Sequence, residues 1–256
     1  MRPAWRAAVP LALALALPLA LAAQSATAAG LEQRVNEFWP ELNAFVSLDE
    51  RSRIFLSASF ARGREYASAT EASWGVHYDR FARPLPDWWT RAVPMMEAGW
   101  NLAFRVGYNR IAALDGAGAD ENRLLGDVTL RSVPLYWGLQ LADRSRLELR
   151  DVDGARSWRY RNRARIERGF GPAELFGASL GGPLAALGVA GITPYAMLEW
   201  TWDSRVSDWN RRYQQYGVEV ELRGRLGAEL YVGIQDQSRA ASSAVVAVGA
   251  VLVVRY

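Results

Sequence analysis

Arg156-Ser157-Trp158-Arg159-Tyr160-Arg161-Asn162-Arg163-Ala164-Arg165-Ile166-Glu167-Arg168 is the stretch on which the fold turns. Read with period two, one face holds Trp158, Tyr160, Asn162, Ala164 and Ile166, and the other holds Arg159, Arg161, Arg163, Arg165 and Glu167. A β-strand sends successive side chains to opposite faces. A helix would scatter the same arginines around its circumference. The strand needs one environment that accepts guanidinium groups and another that accepts indole and aliphatic groups. A transmembrane β-barrel supplies both, with a polar lumen inside and lipid outside. The expectation is therefore an all-β fold, an antiparallel up-and-down transmembrane β-barrel.

The segment just upstream sharpens this. Arg146, Glu148 and Arg150 share one face, and Leu147 and Leu149 the other. Asp153-Gly154 then reads as a two-residue hairpin turn, because both residues tolerate positive φ. That turn pairs Val152 with Ala155, so Arg150 faces Ser157, Glu148 faces Arg159 and Arg146 faces Arg161. Two like charges ~6 Å apart repel by roughly 3 kcal/mol at an effective dielectric of 20, and by only ~0.7 kcal/mol in water. A dry lumen requires interleaved acids; a wet one tolerates the arginine excess. Inward faces offer Glu71, Asp79, Asp127, Glu148, Glu167, Glu199, Glu219 and Glu221. The candidate anion contacts are Arg105, Arg131, Arg146, Arg150, Arg159, Arg161, Arg163 and Arg165, with Glu148, Glu167, Glu199 and Glu219 as their acid partners. Two readings follow: an internally paired network without a solute, or an anion-selective pore.

Further strands flank this hairpin. Glu41–Leu48 and Arg53–Ala61 alternate around a turn at Asp49-Glu50-Arg51. In Glu71–Asp79, Ala72, Trp74, Val76 and Tyr78 oppose Glu71, Ser73, Gly75, His77 and Asp79. Residues 80–97 carry Pro84, Pro86 and Pro94 beside Trp88-Trp89 and read as a long loop. Ala98–Asn109 sets Phe104 and Val106 against Arg105. Asp115–Asn122 reads as an acidic loop before Leu124–Val133, which bears Asp127 and Arg131. Pro134–Asp143 fits no pattern clearly. Ala173–Leu180 reads as a weak strand. Tyr195–Trp202 places Glu199 inward, and Tyr213–Leu222 places Glu219 and Glu221 inward. Arg223-Gly224-Arg225 is a tight turn into Leu226–Gln235, and Ala244–Tyr256 is the last strand. The count is twelve strands, with ten as the alternative; an even number puts both termini on one side of the membrane.

Composition gives the address. The chain opens with Arg2 and Arg6, an Ala/Leu run over 7–23, and small residues at Ala26-Thr27-Ala28-Ala29. That is the pattern of a signal peptide cleaved after Ala28 or Ala29; an uncleaved anchor is the competing reading. Residues 30–256 remain as a single barrel. After the signal no run of 18 apolar residues is uninterrupted, so a closed barrel is the remaining way to span lipid. The chain has no Cys, which excludes a lipoprotein anchor and disulfides, and a net charge of +3, too small to argue for nucleic acid. Its 11 Trp and 10 Tyr suit membrane–water interfaces. The alternating final strand ending at Tyr256 resembles the signal read by the outer-membrane assembly machinery. The expected location is thus the bacterial outer membrane, with lipid and that machinery as partners.

Three segments resemble an uncharacterised outer-membrane barrel family known as domain of unknown function 2490. They are Phe38-Trp39-Pro40-Glu41-Leu42-Asn43-Ala44-Phe45, then Arg146–Arg150 with Trp158–Arg163, and Pro194-Tyr195-Ala196-Met197-Leu198-Glu199-Trp200. The resemblance implies a fold and a location, and no activity. In physical pattern, the arginine-rich lumen also resembles small porins for acidic oligosaccharides, which are twelve-stranded.

Enzymatic readings are thinner. His77, the single histidine, shares a face with Ser73, Glu71 and Asp79, which suggests a hydrolase acting on lipid or lipopolysaccharide. Ser73 and His77 are four residues apart on one strand, about 13 Å at ordinary rise, too far for a nucleophile and its base. Gly177-Ala178-Ser179-Leu180-Gly181 matches G-x-S-x-G, but the nucleophile elbow needs a strand–turn–helix and a histidine later in the chain. With one His and no Cys, no metal site is expected, and no cofactor. The acidic residues 115–121 read as a solvated loop in preference to a calcium site. The leading expectation is a non-enzymatic barrel, structural or a small channel for small anionic solutes.

Overall fold

The computed structural model describes residues 35–63, 70–82, 100–114, 118–237 and 245–256. The expected signal peptide and most of the proline-rich loop, residues 83–99, lie outside the described residues, as do 115–117 of the acidic loop.

Eleven strands form one closed barrel: β1 (Val35–Asp49), β2 (Ser52–Gly63), β3 (Glu71–Ala82), β4 (Asn101–Ala113), β5 (Glu121–Arg131), β6 (Leu139–Val152), β7 (Ala155–Arg168), β8 (Val189–Asp203), β9 (Asp208–Leu222), β10 (Leu226–Gln237) and β11 (Val245–Arg255). Each pairs antiparallel with its sequence neighbours, and the ring closes through a parallel β1–β11 pair from Val35↔Val245 to Phe45↔Arg255.

The barrel expectation stands, while the count of twelve, or ten, and the purely antiparallel topology are corrected. The missing strand is Ala173–Leu180. It lies in helix α1 (Pro172–Ala186), which starts with Pro172 in the first turn and has a non-helical Gly177 at φ 69°. A Gly/Ala/Leu segment has no β-branched residues to favour a pleated surface, and proline at the first helical position has a fixed, helix-compatible φ. The G-x-S-x-G match falls inside this helix, away from any strand–turn–helix elbow. An odd number of alternating strands makes the first and last run the same way. Val35 and Arg255 therefore sit at opposite rims, where an even barrel would put both at one.

The hairpin register is the one expected. Asp153 and Gly154 have φ of 49° and 85°, a tight turn with both central residues left-handed. Val152 pairs with Ala155, Glu148 with Arg159 and Arg146 with Arg161. β6 is longer than its sequence pattern suggested. A short 3-10 turn at Tyr136–Gly138 ends the irregular part, and pairing begins at Leu139.

Burial follows strand alternation and inverts the usual order. Glu148 and Glu199 are 0% and 2% exposed, while Val106 and Leu124 are each 59% exposed. Leu147, Leu149, Leu230, Val248 and Leu252 also point outward and are exposed. Outward aromatics gather at the rims. Trp158 stacks on Trp202 at 4.3 Å beside the Asp153-Gly154 rim, and Tyr136, Trp137 and Tyr256 are exposed at the other. Among the described residues no helix is long and apolar enough to cross a membrane.

Candidate functional site

The interior is built on one row of paired residues that crosses eight strands, β2 to β9. Register places Arg53 opposite Asp79, Asp79 opposite Arg105, Arg105 opposite Asp127, and Asp127 opposite Arg146. Charges alternate along this row, and directly opposed unlike charges are favourable. Asp79 accepts from Arg53 at 2.8 Å and from Arg105 at 2.6 and 2.9 Å. Asp127 accepts from Arg146 at 2.7 Å. The alternation then breaks: Arg146 is opposite Arg161, Arg161 opposite Thr201, and Thr201 opposite Arg211.

Two buried carboxylates absorb the arginine excess at the break. Glu148 accepts from Arg159 at 2.7 Å and Arg161 at 3.0 Å, with Arg146 at 3.7 Å. Glu199 accepts from Arg161 at 2.7 Å, Arg163 at 2.8 Å and Arg144 at 3.2 Å. Each carboxylate is therefore shared by three guanidinium groups. The like-charge rungs Arg146/Arg161 and Arg144/Arg163 persist because acids flank them on β5, β6 and β8. Arg161 is thus held between Glu148 and Glu199 on one side and borders open space on the other.

The remaining candidates take their places around this centre. Arg150 bonds Asp203 at 2.8 Å and also Glu121, which holds Arg123 at 2.6 Å. Arg165 joins Glu167 at 2.6 Å and reaches Glu219. Arg131 lies at the rim bearing α1, about half exposed, and pairs with Glu167. All eight arginines and four glutamates singled out in the sequence are thus in the interior or at its mouth. Strand alternation in the sequence does not single out Arg144, Arg211, Glu41 and Glu229, which the structure places beside them. Arg144 and Arg211 sit where the strands extend beyond their clear alternation. Glu41 follows Pro40, and Glu229 lies within Leu226–Gln235.

Two cavities flank the network. One, of about 300 Å³, opens towards the rim of α1 and is lined by Arg53, Arg105, Arg131, Arg144 and Glu167 among others. The second, of about 320 Å³, is lined by Trp39, Glu41, Arg159, Arg161, Arg211 and Tyr213 among others. Arg163 and Arg165 line both and separate them.

The wall opposite the arginines is made of tyrosines laid over glycines. Tyr231 covers Gly249, where an added Cβ would lie 2.0 Å from the phenol ring, and its hydroxyl donates to Glu41 at 2.7 Å. Tyr195 lies over Gly217 in the same way and donates to Glu229. Here glycine is required by close approach.

His77 is buried and stacks on Phe55 at 5.0 Å, and its Nδ1 has no hydrogen-bond partner among the described residues. Ser73 instead bonds Ser59 at 2.7 Å. The strand holds Ser73 and His77 apart, as their spacing implied. Among the described residues no three His, Cys, Asp or Glu side chains converge on a possible metal position.

No protein-family model matches the chain, and no curated protein matches its sequence.

Proposed function

We propose that the chain is a non-enzymatic β-barrel of the bacterial outer membrane, exported by its leader, whose charge-lined interior admits small anionic solutes. The observation that carries this reading is the inverted polarity: buried glutamates and arginines inside, exposed Leu, Val and Trp outside. In water such an outer face would be an aggregation surface, whereas lipid is its natural solvent. An 11-residue strand at ~3.4 Å per residue, tilted by ~45°, spans roughly 26 Å, close to the ~25 Å apolar band of membrane barrels. β5 and β11 are the shortest, at 11 residues. The odd strand count has a precedent among mitochondrial channels. Outer-membrane lipid and the assembly machinery engaged through the strand ending at Tyr256 are the expected partners, in keeping with the resemblance to the uncharacterised barrel family.

For the solute, the support is Arg144, Arg146, Arg159, Arg161 and Arg163 sharing mainly Asp127, Glu148 and Glu199, an excess of positive charge between the two cavities. Planar-bilayer recording tests the reading. The mature chain is expected to give small, anion-preferring currents, and Arg161→Glu to reduce that preference. A barrel that inserts and carries no current, or a cation-preferring one, overturns the solute reading.

A further inference from the structure

Two opposite charges that line the second cavity, Arg211 and Glu41, have no ion-pair partner among the described residues. Arg211 on β9 ends the row opposite Thr201, which stands where an acid would pair with it, and no described carboxylate lies within ion-pair distance of it. Glu41 on β1 accepts only from Tyr231, a neutral hydroxyl, and no described guanidinium pairs with it. Arg144, Arg146, Arg159, Arg161 and Arg163, by contrast, each have a carboxylate within ion-pair distance. An uncompensated charge in a confined interior is costly, and it is relieved by a counter-charge.

The two groups cannot relieve each other. The ring order β1-β11-β10-β9 puts three strand spacings between them, and the register Glu41↔Val251↔Glu229↔Glu219 sets Arg211 a further eight residues along β9, an offset of roughly 27 Å along the strand at ~3.4 Å per residue, so the two groups face the cavity from separate parts of the wall. Between them the cavity is lined by Trp39 and Tyr213, whose rings are 6.1 Å apart, together with Gln235 and Val251. That lining suits a short apolar linker joining two charged ends. The volume of about 320 Å³ is at the lower end of small-molecule sites and too small for an oligomer.

We propose that this cavity binds a small zwitterion, its carboxylate or other anionic group on Arg211 and its ammonium on Glu41. Glu229, held by Tyr195 and by Gln215 at 3.1 Å, lies on the same wall and adds a second acceptor for the ammonium. The site rests on the reading that the interior is open to water-borne solutes. It adds that the favoured solute carries both charges, at a spacing set by β9 and β1.

Calorimetric titration of the refolded full-length mature chain in detergent tests this. The probes are glycine, β-alanine, 4-aminobutyrate and 6-aminohexanoate, with butyrate and butylammonium as single-charge controls. At least one ω-amino acid should bind tenfold or more tighter than either control. Arg211→Gln and Glu41→Gln should each abolish that advantage while the barrel keeps its heat-modifiable migration. Equal binding of butyrate and the best ω-amino acid, no binding of any probe, or unchanged preference in both variants overturns the site. Bilayer currents are scored separately. Anion currents with no zwitterion preference sink the site and leave the pore; zwitterion binding without current does the reverse.

Discussion

Arg161 Nε donates to Glu199 at 2.7 Å across the β7–β8 pair, and Arg163 and Arg144 converge on the other oxygen of the same carboxylate. One side chain thus holds three arginines that would otherwise repel. Glu199→Gln removes the charge and keeps the shape. Breaking a buried pair by removing one partner costs about 3–5 kcal/mol, with the lower end expected beside a solvated cavity. The urea midpoint for unfolding should fall accordingly, and anion preference should rise as three guanidinium groups lose their counter-ion. An unchanged midpoint would mean that water, and not Glu199, compensates the cluster.

Gly249 leaves room for the Tyr231 ring, which carries a hydrogen bond to Glu41. Gly249→Ala should push the ring inward and break that bond, destabilising the barrel by about 1–3 kcal/mol. The temperature at which the folded band disappears on unheated gels reads this out. Combining Gly249→Ala with Tyr231→Ala should recover part of the loss, since the clash is then gone. Additive losses would show that the two positions are independent.

Leu147 and Val106 face outward in the exposed apolar surface. Arginine on the lipid face of a barrel costs about 2–4 kcal/mol near the bilayer midplane. Leu147→Arg should therefore lower the folded fraction in phospholipid vesicles, with a smaller effect in detergent. Better folding and higher solubility without lipid would instead mark the surface as water-facing.

Gly154 sits at φ 85° in the β6–β7 turn. Gly154→Ala forces a Cβ into the left-handed region, at about 1 kcal/mol. Slower refolding is expected, because this short hairpin is the most local pairing among the interior arginines. Refolding followed by tryptophan fluorescence measures it; an unchanged rate and midpoint would show that the turn is not needed for register.

Much of this protein was legible along the chain because strand alternation is a local property. Period two assigned the faces of β3, β4, β7 and β11, and the Asp153-Gly154 turn set the β6–β7 register by itself, down to Glu148 opposite Arg159. Local reading failed where pattern and pairing part company. Residues 173–180 form part of a helix, and Arg144 and Arg211 extend strands past their clear alternation. Closure through a parallel β1–β11 pair is invisible in either strand, since both alternate well whatever their neighbour.

The sequence by itself determined which residues face inward and that arginines and acids would share that space. Only the tertiary structure decided which acid meets which arginine, because register across every loop longer than a tight turn depends on how the ring closes. That closure set Asp79 between Arg53 and Arg105, gave Glu148 and Glu199 three arginines each, and left Arg211 and Glu41 facing one cavity without an ion-pair partner among the described residues.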